Sequence, residues 1–314
     1  MKNNSENFPG HNIIKPMNDA IKTFESKLEK EPENIDAHIG LADSYFALWC
    51  YGIIPYAEAI EKVKDSTSII LKLKSNFCDA HTLSALIKLS EWDWDGAEQE
   101  FKLAIDLGPN SAKAHHWYAL YLAAMGQFKK SVAESKKAVE LEPSSGYKIG
   151  LGSIYYFAHD FKKLKNEMKE LISEDPKFAQ GYDWLGMAYL QLNEYDNSIK
   201  VYEKAASLSG RLAEILGGLG HAYGISGREK EAKKILDELN NYTLKYYIPP
   251  VQIAYVYAGL GEDDKVFELL ERAYKERAWE LIFMREEPWF DYLHSDNRFE
   301  ELVARLKFPE KINV

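Results

Sequence analysis

Small and apolar residues recur along this chain at a fixed interval. Ala85 lines up with Ala119, Trp94 with Phe128, Ala97 with Ser131, Ala104 with Ala138 and Pro109 with Pro143, each pair separated by the same step. One row of small residues reads Ala42, Ala85, Ala119, Gly152, Gly186, Gly220 and Ala254. After a long first step its intervals are 34, 33, 34, 34 and 34. A second row, Ala97, Ser131, Leu164, Ser198, Ala232 and Val266, follows the first at a constant offset. Two helices per unit that approach most closely at these rows account for the pattern. A large side chain there would push the helices apart at a cost of about 1–3 kcal/mol. Tyr45, Tyr155, Tyr189, Tyr223 and Tyr257 form an aromatic row beside them.

This step, about 34 residues, is the period of the tetratricopeptide repeat, a helix–turn–helix unit that stacks into a solenoid. The chain reads as an all-α, right-handed solenoid of about seven such repeats with a C-terminal capping helix. Residues 1–15 are polar, with Pro9 and Gly10, and are expected to be a flexible lead-in. Residues 16–34 hold one helix, either an N-terminal cap or half a repeat. The repeat array is expected over 35–280 and a cap and tail over 281–314. The first turn, around LWCYGIIPYAEA, is long: the step from Ala42 to Ala59 exceeds the equivalent step from Ala85 to Ala97. Such extra residues fall in loops on one face, often a binding face. A helix over 297–306 with Arg298, Glu300, Glu301 and Arg305 outward suits a solvating cap.

Composition narrows the function. The net charge is -10 and the pI about 5.4, which disfavours nucleic acid as a partner. No apolar run is long enough to span a bilayer, so no membrane insertion is expected. The opening residues MKNNSENFPGHN lack the apolar core of a signal peptide. Two cysteines, Cys50 and Cys78, are too few for a disulfide scaffold. A reduced, cytoplasmic protein with free thiols is the expectation.

Two segments carry a more particular likeness. HTLSALIKLSEWDWDGAEQEFKLAIDLGPNSAKAHHWYALYLAAMGQFKKSVAE resembles the tetratricopeptide segment that follows signalling domains in many bacteria and archaea. Those carriers include adenylate/guanylate cyclase-type domains, winged-helix regulators and Ser/Thr protein kinases. The tail VYAGLGEDDKVFELLERAYKERAWELIFMREEPWFDYLHSDNRFEELVARL looks like the closing region of the same segments. With the weaker repeats between, the resemblance covers residues 16–307. It implies a regulatory interaction module. It implies no catalysis, because cyclase, kinase and winged-helix sequences are absent here.

Candidate chemistry is sparse. His38, His81 and His115 occupy one position of three successive repeats and His116 follows. Stacked repeats hold equivalent positions on the order of 10 Å apart, too far for one metal. The cluster at Gly217, Gly218, Gly220 and Gly224 lacks the strand and the Lys–Ser/Thr ending of a phosphate loop. It reads as a thinly packed helix, with Gly217 and Gly224 toward the concave side. Trp94 reads as core, and Asp93 and Asp95 as helix-start residues. No catalytic residue, metal or cofactor is expected.

In the tetratricopeptide register, the inner face comes from fixed positions of each first helix. That register implies a partner groove including Asp43, Phe46, Leu86, Leu89, His116, Leu120, Ser153, Tyr156, Asp183, Met187, His221 and Tyr255. Lys113 is the one cation among the inner positions. The expected occupant is a protein segment or helix with apolar anchors and basic character. The competing expectation is that the superhelix closes on itself or that residues 1–14 fill the groove. A second functional reading is a regulatory fragment or subunit acting on a separate cyclase, kinase or winged-helix output domain.

Overall fold

The computed structural model describes residues 9–310. Helix α1 (His11–Lys30) precedes seven antiparallel helix pairs. They are α2 (Ile35–Cys50) with α3 (Tyr56–Leu73), α4 (Cys78–Ser90) with α5 (Trp94–Leu107), α6 (Ala112–Ala124) with α7 (Phe128–Leu141), and α8 (Ser145–Phe157) with α9 (Phe161–Glu174). Then come α10 (Ala179–Gln191) with α11 (Tyr195–Ser209), α12 (Ala213–Ile225) with α13 (Glu229–Thr243), and α14 (Pro250–Leu260) with α15 (Asp263–Glu276). Two 3-10 helices follow, Trp279–Glu286 and Pro288–Leu293, and then α16 (Asn297–Arg305). Among the described residues no helix is long and apolar enough to cross a membrane.

The first helix of each pair lines the inside and the second lies outside. Burial says why. Helix α6 buries ten of its residues and α12 nine, all around the helix, whereas α7 and α9 bury three each along one stripe. Within a pair the small-residue rows meet as the sequence requires. Ser131 and Ser198, in the second row, donate through Oγ to the carbonyls of Ala119 and Gly186, in the first, at 2.7 and 2.8 Å. The turn between the helices needs one left-handed residue. Trp92, Gly126, His159, Asn193, Gly227 and Gly261 take it in successive repeats, with φ of 57–78°. Asn and Gly adopt that conformation readily. Trp92 is held there by stacking on Tyr274 at 5.0 Å and by Arg277 over its ring at 4.4 Å.

The repeated histidines are structural. Nε2 of His38, His81 and His115 meets the carbonyls of Pro32, Ser75 and Pro109 at 2.8–3.0 Å, closing the turn between repeats. Nδ1 of His81 and of His115 meets Glu100 and Glu134 on the outer helix.

Four features depart from the sequence reading. The helix expected from residue 16 begins at His11, so residues 11–15 of the expected lead-in are helical; residues 1–8 lie outside the described part. Its start is tied to α11: Gly10 N donates to Gly210 O at 2.7 Å and Asn12 Nδ2 to Leu208 O at 2.9 Å. The long first turn makes an internal contact rather than an open face. A Cβ on Gly52, whose φ is 62°, would sit 2.1 Å from Pro249 Cγ. The glycines of α12 serve a close helix crossing. A Cβ at Gly217 would lie 2.8 Å from Gln252 O, and one at Gly224 2.5 Å from the Gly259 backbone. Finally, the inner face is not an open channel, because the chain's own C-terminal segment lies in it.

Candidate functional site

The chain turns inward at Arg277, and residues 277–293 run across the C-terminal ends of the inner helices. Trp49 at the end of α2 donates through Nε1 to Arg277 O at 3.1 Å and meets Trp279 edge-on at 5.5 Å. Arg277 reaches the Ser90 carbonyl at the end of α4 at 3.1 Å. Phe283 stacks on Phe157, the last residue of α8, at 4.4 Å. Trp289 stacks on His221 of α12 at 4.6 Å and meets Tyr255 of α14 edge-on at 4.2 Å. The last described stretch returns to the outside, where Trp94 Nε1 donates to Leu306 O at 2.8 Å and its ring stacks on Phe308. Leu281, Ile282, Phe283, Met284, Trp289, Phe290 and Leu293 are all buried. Each such burial is worth about 1.5–3 kcal/mol, so the segment is part of the core rather than a loose plug.

What remains is a central cavity of about 470 Å³ toward the N-terminal ends of α6, α8, α10, α12 and α14. Its walls include Trp117, Trp184, Trp279 and Trp289, with Glu214, Gln252 and Glu280 among them. The exposed Gly146 and the half-exposed Asp43 mark its mouth. At roughly 24 cal/mol per Å³, a dry void of this size would cost on the order of 10 kcal/mol, so the space holds water or a ligand. Its volume lies in the range of small-molecule sites.

The cavity's electrostatics are one-sided. Lys113 is spent on Asp43 at 2.5 Å and Asp79 at 3.6 Å. Glu214 has no hydrogen-bond or ion-pair partner among the described residues, and burial with neighbouring Asp183 and Glu280 holds its carboxyl well above the ordinary range. Burial pushes Glu280 up to about 7, against hydrogen bonds from its own backbone N–H and from Gln252 Nε2. Glu287 is likewise pushed up to about 7 by burial, although Tyr156 and Tyr255 donate to it. Burial lowers His116 to about 4, and its Nδ1 has no partner. Cys50 also lines the cavity, and burial beside Glu280 and Glu214 raises its thiol.

Eight of the twelve residues read as groove from the sequence line this cavity: Asp43, Phe46, His116, Leu120, Ser153, Tyr156, Met187 and Tyr255. Several are walls rather than free contacts. Phe46 is 2% exposed and packs edge-on against Trp117 and Trp279, and Tyr156 is 1% exposed. Leu86 and Leu89 are fully enclosed core residues. His221 is covered by Trp289, and its Nδ1 meets Tyr255 O at 2.8 Å. Asp183 is buried off the cavity wall, its Oδ1 unpartnered and its carboxyl pushed up to about 7 by burial. Sequence reasoning missed Glu280 and the four tryptophans. Trp117 and Trp184 share one repeat position, two repeats apart, which was a usable signal. Glu280 had none, because its place depends on the inward turn. Among the described residues, no group of three or more His, Cys, Asp or Glu side chains is placed to hold a metal ion.

This geometry is a helical-repeat solenoid closed around a cavity. The tetratricopeptide repeat pattern matches residues 112–145 and 179–211, which are α6–α7 and α10–α11. Human tetratricopeptide repeat protein 6 is 20% identical over 195 residues, 62% of this chain and 36% of that protein. The cytochrome c-type biogenesis protein CycH of Pseudomonas aeruginosa is 30% identical over 83 residues, 26% of this chain and 20% of that protein. The chain thus spans about a third and a fifth of these relatives. The crystal structure of the APC/C hetero-tetramer Cut9–Hcn1 superposes with a TM-score of 0.64 at 14% identity, over 92% of this chain and 52% of that one. The fold is that of a tetratricopeptide-repeat solenoid, and two of its repeats carry the family's sequence pattern outright.

Proposed function

We propose that this chain is a non-enzymatic protein-interaction module whose contacts with other proteins run over its outer helices and edges. The observation that carries this reading is the closed inner face. A peptide entering the filled half of the groove would have to replace Trp279, Phe283 and Trp289 in both shape and area. An outer surface free of that competition is the cheaper docking place. The net charge of -10 favours a basic partner by steering and complementarity. The name of one relative, a cytochrome c-type biogenesis protein, agrees with an assembly role. The cavity favours a second version of the same reading: a regulatory subunit that responds to a small molecule and acts on a separate output domain.

Site-specific photo-crosslinking in the source cell tests the proposal. The crosslinker is placed at exposed Lys102 or Lys204, or at inner Leu120 or Met187. Protein adducts from the outer positions and none from the inner ones are expected. A partner captured from Met187 or Leu120 would return the contact to the groove and overturn the proposal.

A further inference from the structure

We propose that the central cavity is a binding site for an organic ammonium ion, a small molecule carrying a protonated or quaternary nitrogen on an apolar body. This goes beyond the protein-interaction reading and does not depend on it.

Three independent observations converge. The first is shape: a space of about 470 Å³ is preserved in a solenoid that otherwise packs its inner face with its own chain. The second is unused bonding capacity on the walls. Glu280 lines the cavity and accepts one side-chain hydrogen bond, from Gln252 Nε2. Glu214 lines it too and has no hydrogen-bond or ion-pair partner among the described residues. A carboxylate on a cavity wall with no donor opposite it is a place for one. The third is the kind of wall. Trp117, Trp184, Trp279 and Trp289 offer indole surface, the strongest cation–π partner among side chains.

The sign of the ligand follows from the inventory. Glu214, Glu280 and Glu287 are acidic groups that a cation can hold ionised, while the lysine on the wall, Lys113, is already neutralised by Asp43 and Asp79. An anionic ligand such as a phosphate would meet three carboxyl groups and no free cation. A metal ion would want several close oxygen or nitrogen ligands, and no such group exists among the described residues. An ammonium ion can use a carboxylate and an indole face together, and its apolar body replaces cavity water against aromatic walls.

The binding also has a proton signature. The titratable and polar groups facing Glu214 and Glu280 include Asp183 on α10, Tyr202 on α11, Cys50 and Tyr51 at the end of α2, Tyr247 before α14, and Gln252 and Tyr255 on α14. None of them is a cation, and burial raises both carboxyls, Glu280 to about 7, so Glu280 is part-protonated at neutral pH in the free protein. A bound cation favours their ionised form, so protons leave as the ligand enters.

Calorimetry on the full chain with phenethylammonium, benzyltrimethylammonium and the uncharged 2-phenylethanol tests this. Both ammonium probes should bind, with 2-phenylethanol weaker by about tenfold or more. Titration at pH 7 in buffers of different ionisation enthalpy should show proton release with the ammonium probes alone. The double variant Glu214→Gln and Glu280→Gln should lose about tenfold in ammonium affinity and leave 2-phenylethanol unchanged. Its melting temperature, equal to or above that of the parent, shows that it is folded. Equal binding of phenethylammonium and 2-phenylethanol would overturn the proposal. So would undiminished ammonium binding by the double variant, or no ammonium binding up to about 10 mM.

Discussion

The two ends of the inner helices can be compared within one molecule. At their C-terminal ends Trp49, Phe157 and His221 are met by a carbonyl or a ring from residues 277–289. At their N-terminal ends Trp117, Trp184 and Glu214 face a cavity, and Glu214 has no hydrogen-bond or ion-pair partner among the described residues. Both ends belong to the same repeats and obey the same small-residue register. The difference comes from outside the repeats, from a segment of 3-10 helices that covers one end and stops short of the other. A repeat pattern therefore fixes which residues point inward, while a non-repeating tail decides which of them remain available.

The comparison breaks most severely under a buried charge. Leu86→Asp, at a site 1% exposed in the filled half, should abolish folding. Met187→Asp, on the cavity wall, should leave a folded protein. Circular dichroism and soluble yield separate the two, and similar behaviour of both variants would erase the distinction. Next comes truncation of two tryptophans. Trp289→Ala, which is 4% exposed and packed on His221 and Tyr255, should cost about 3–5 kcal/mol in urea unfolding. Trp117→Ala, on the half-buried cavity side, should cost clearly less.

A smaller effect lies in pH. Glu280, Glu287 and Asp183 have folded values near 7, raised from carboxylate reference values of 4.5 or 3.8. Their contribution to stability is present at low pH and is lost as pH rises toward 7. His116 and His221, lowered to about 4 from 6.5, act in the opposite direction between those values and are silent above them. Three carboxyls outweigh two histidines below pH 6.5 and act alone above it. Stability should therefore fall from pH 6 to pH 8, at about 1.4 kcal/mol per pH unit for each unbalanced proton. Glu280→Gln should flatten that fall, read as melting temperature against pH; a rise in stability toward pH 8 would contradict the assignment. The smallest change is Trp94→Phe, which keeps the stack on Phe308 and loses the bond to Leu306 O. It should cost about 1 kcal/mol, again in urea unfolding.

The repeat architecture was legible because it is local and periodic. Ala119 and Ser131, or Gly186 and Ser198, meet within one unit at a separation the sequence repeats. Inward-facing positions such as Tyr156 and Met187 were legible for the same reason. Their availability was not, because Trp279, Phe283 and Trp289 reach the inner face from a segment that is remote in the chain and has no period. The α12 glycines show the same limit: Gly217 and Gly224 read as gaps on an open face, while the structure fills those gaps with the backbone of α14. Closure at the first turn depends on Gly52 meeting Pro249, a pairing no local pattern announces.

Hydrogen–deuterium exchange across residues 278–293 tests the central claim most directly. If this segment lies in the inner face, its amides are protected to the same degree as those of α12, and the loop at 245–248 exchanges far faster. Exchange of 278–293 at the rate of that loop would mean that the groove stands open, and would contradict both the filled half and the cavity it encloses.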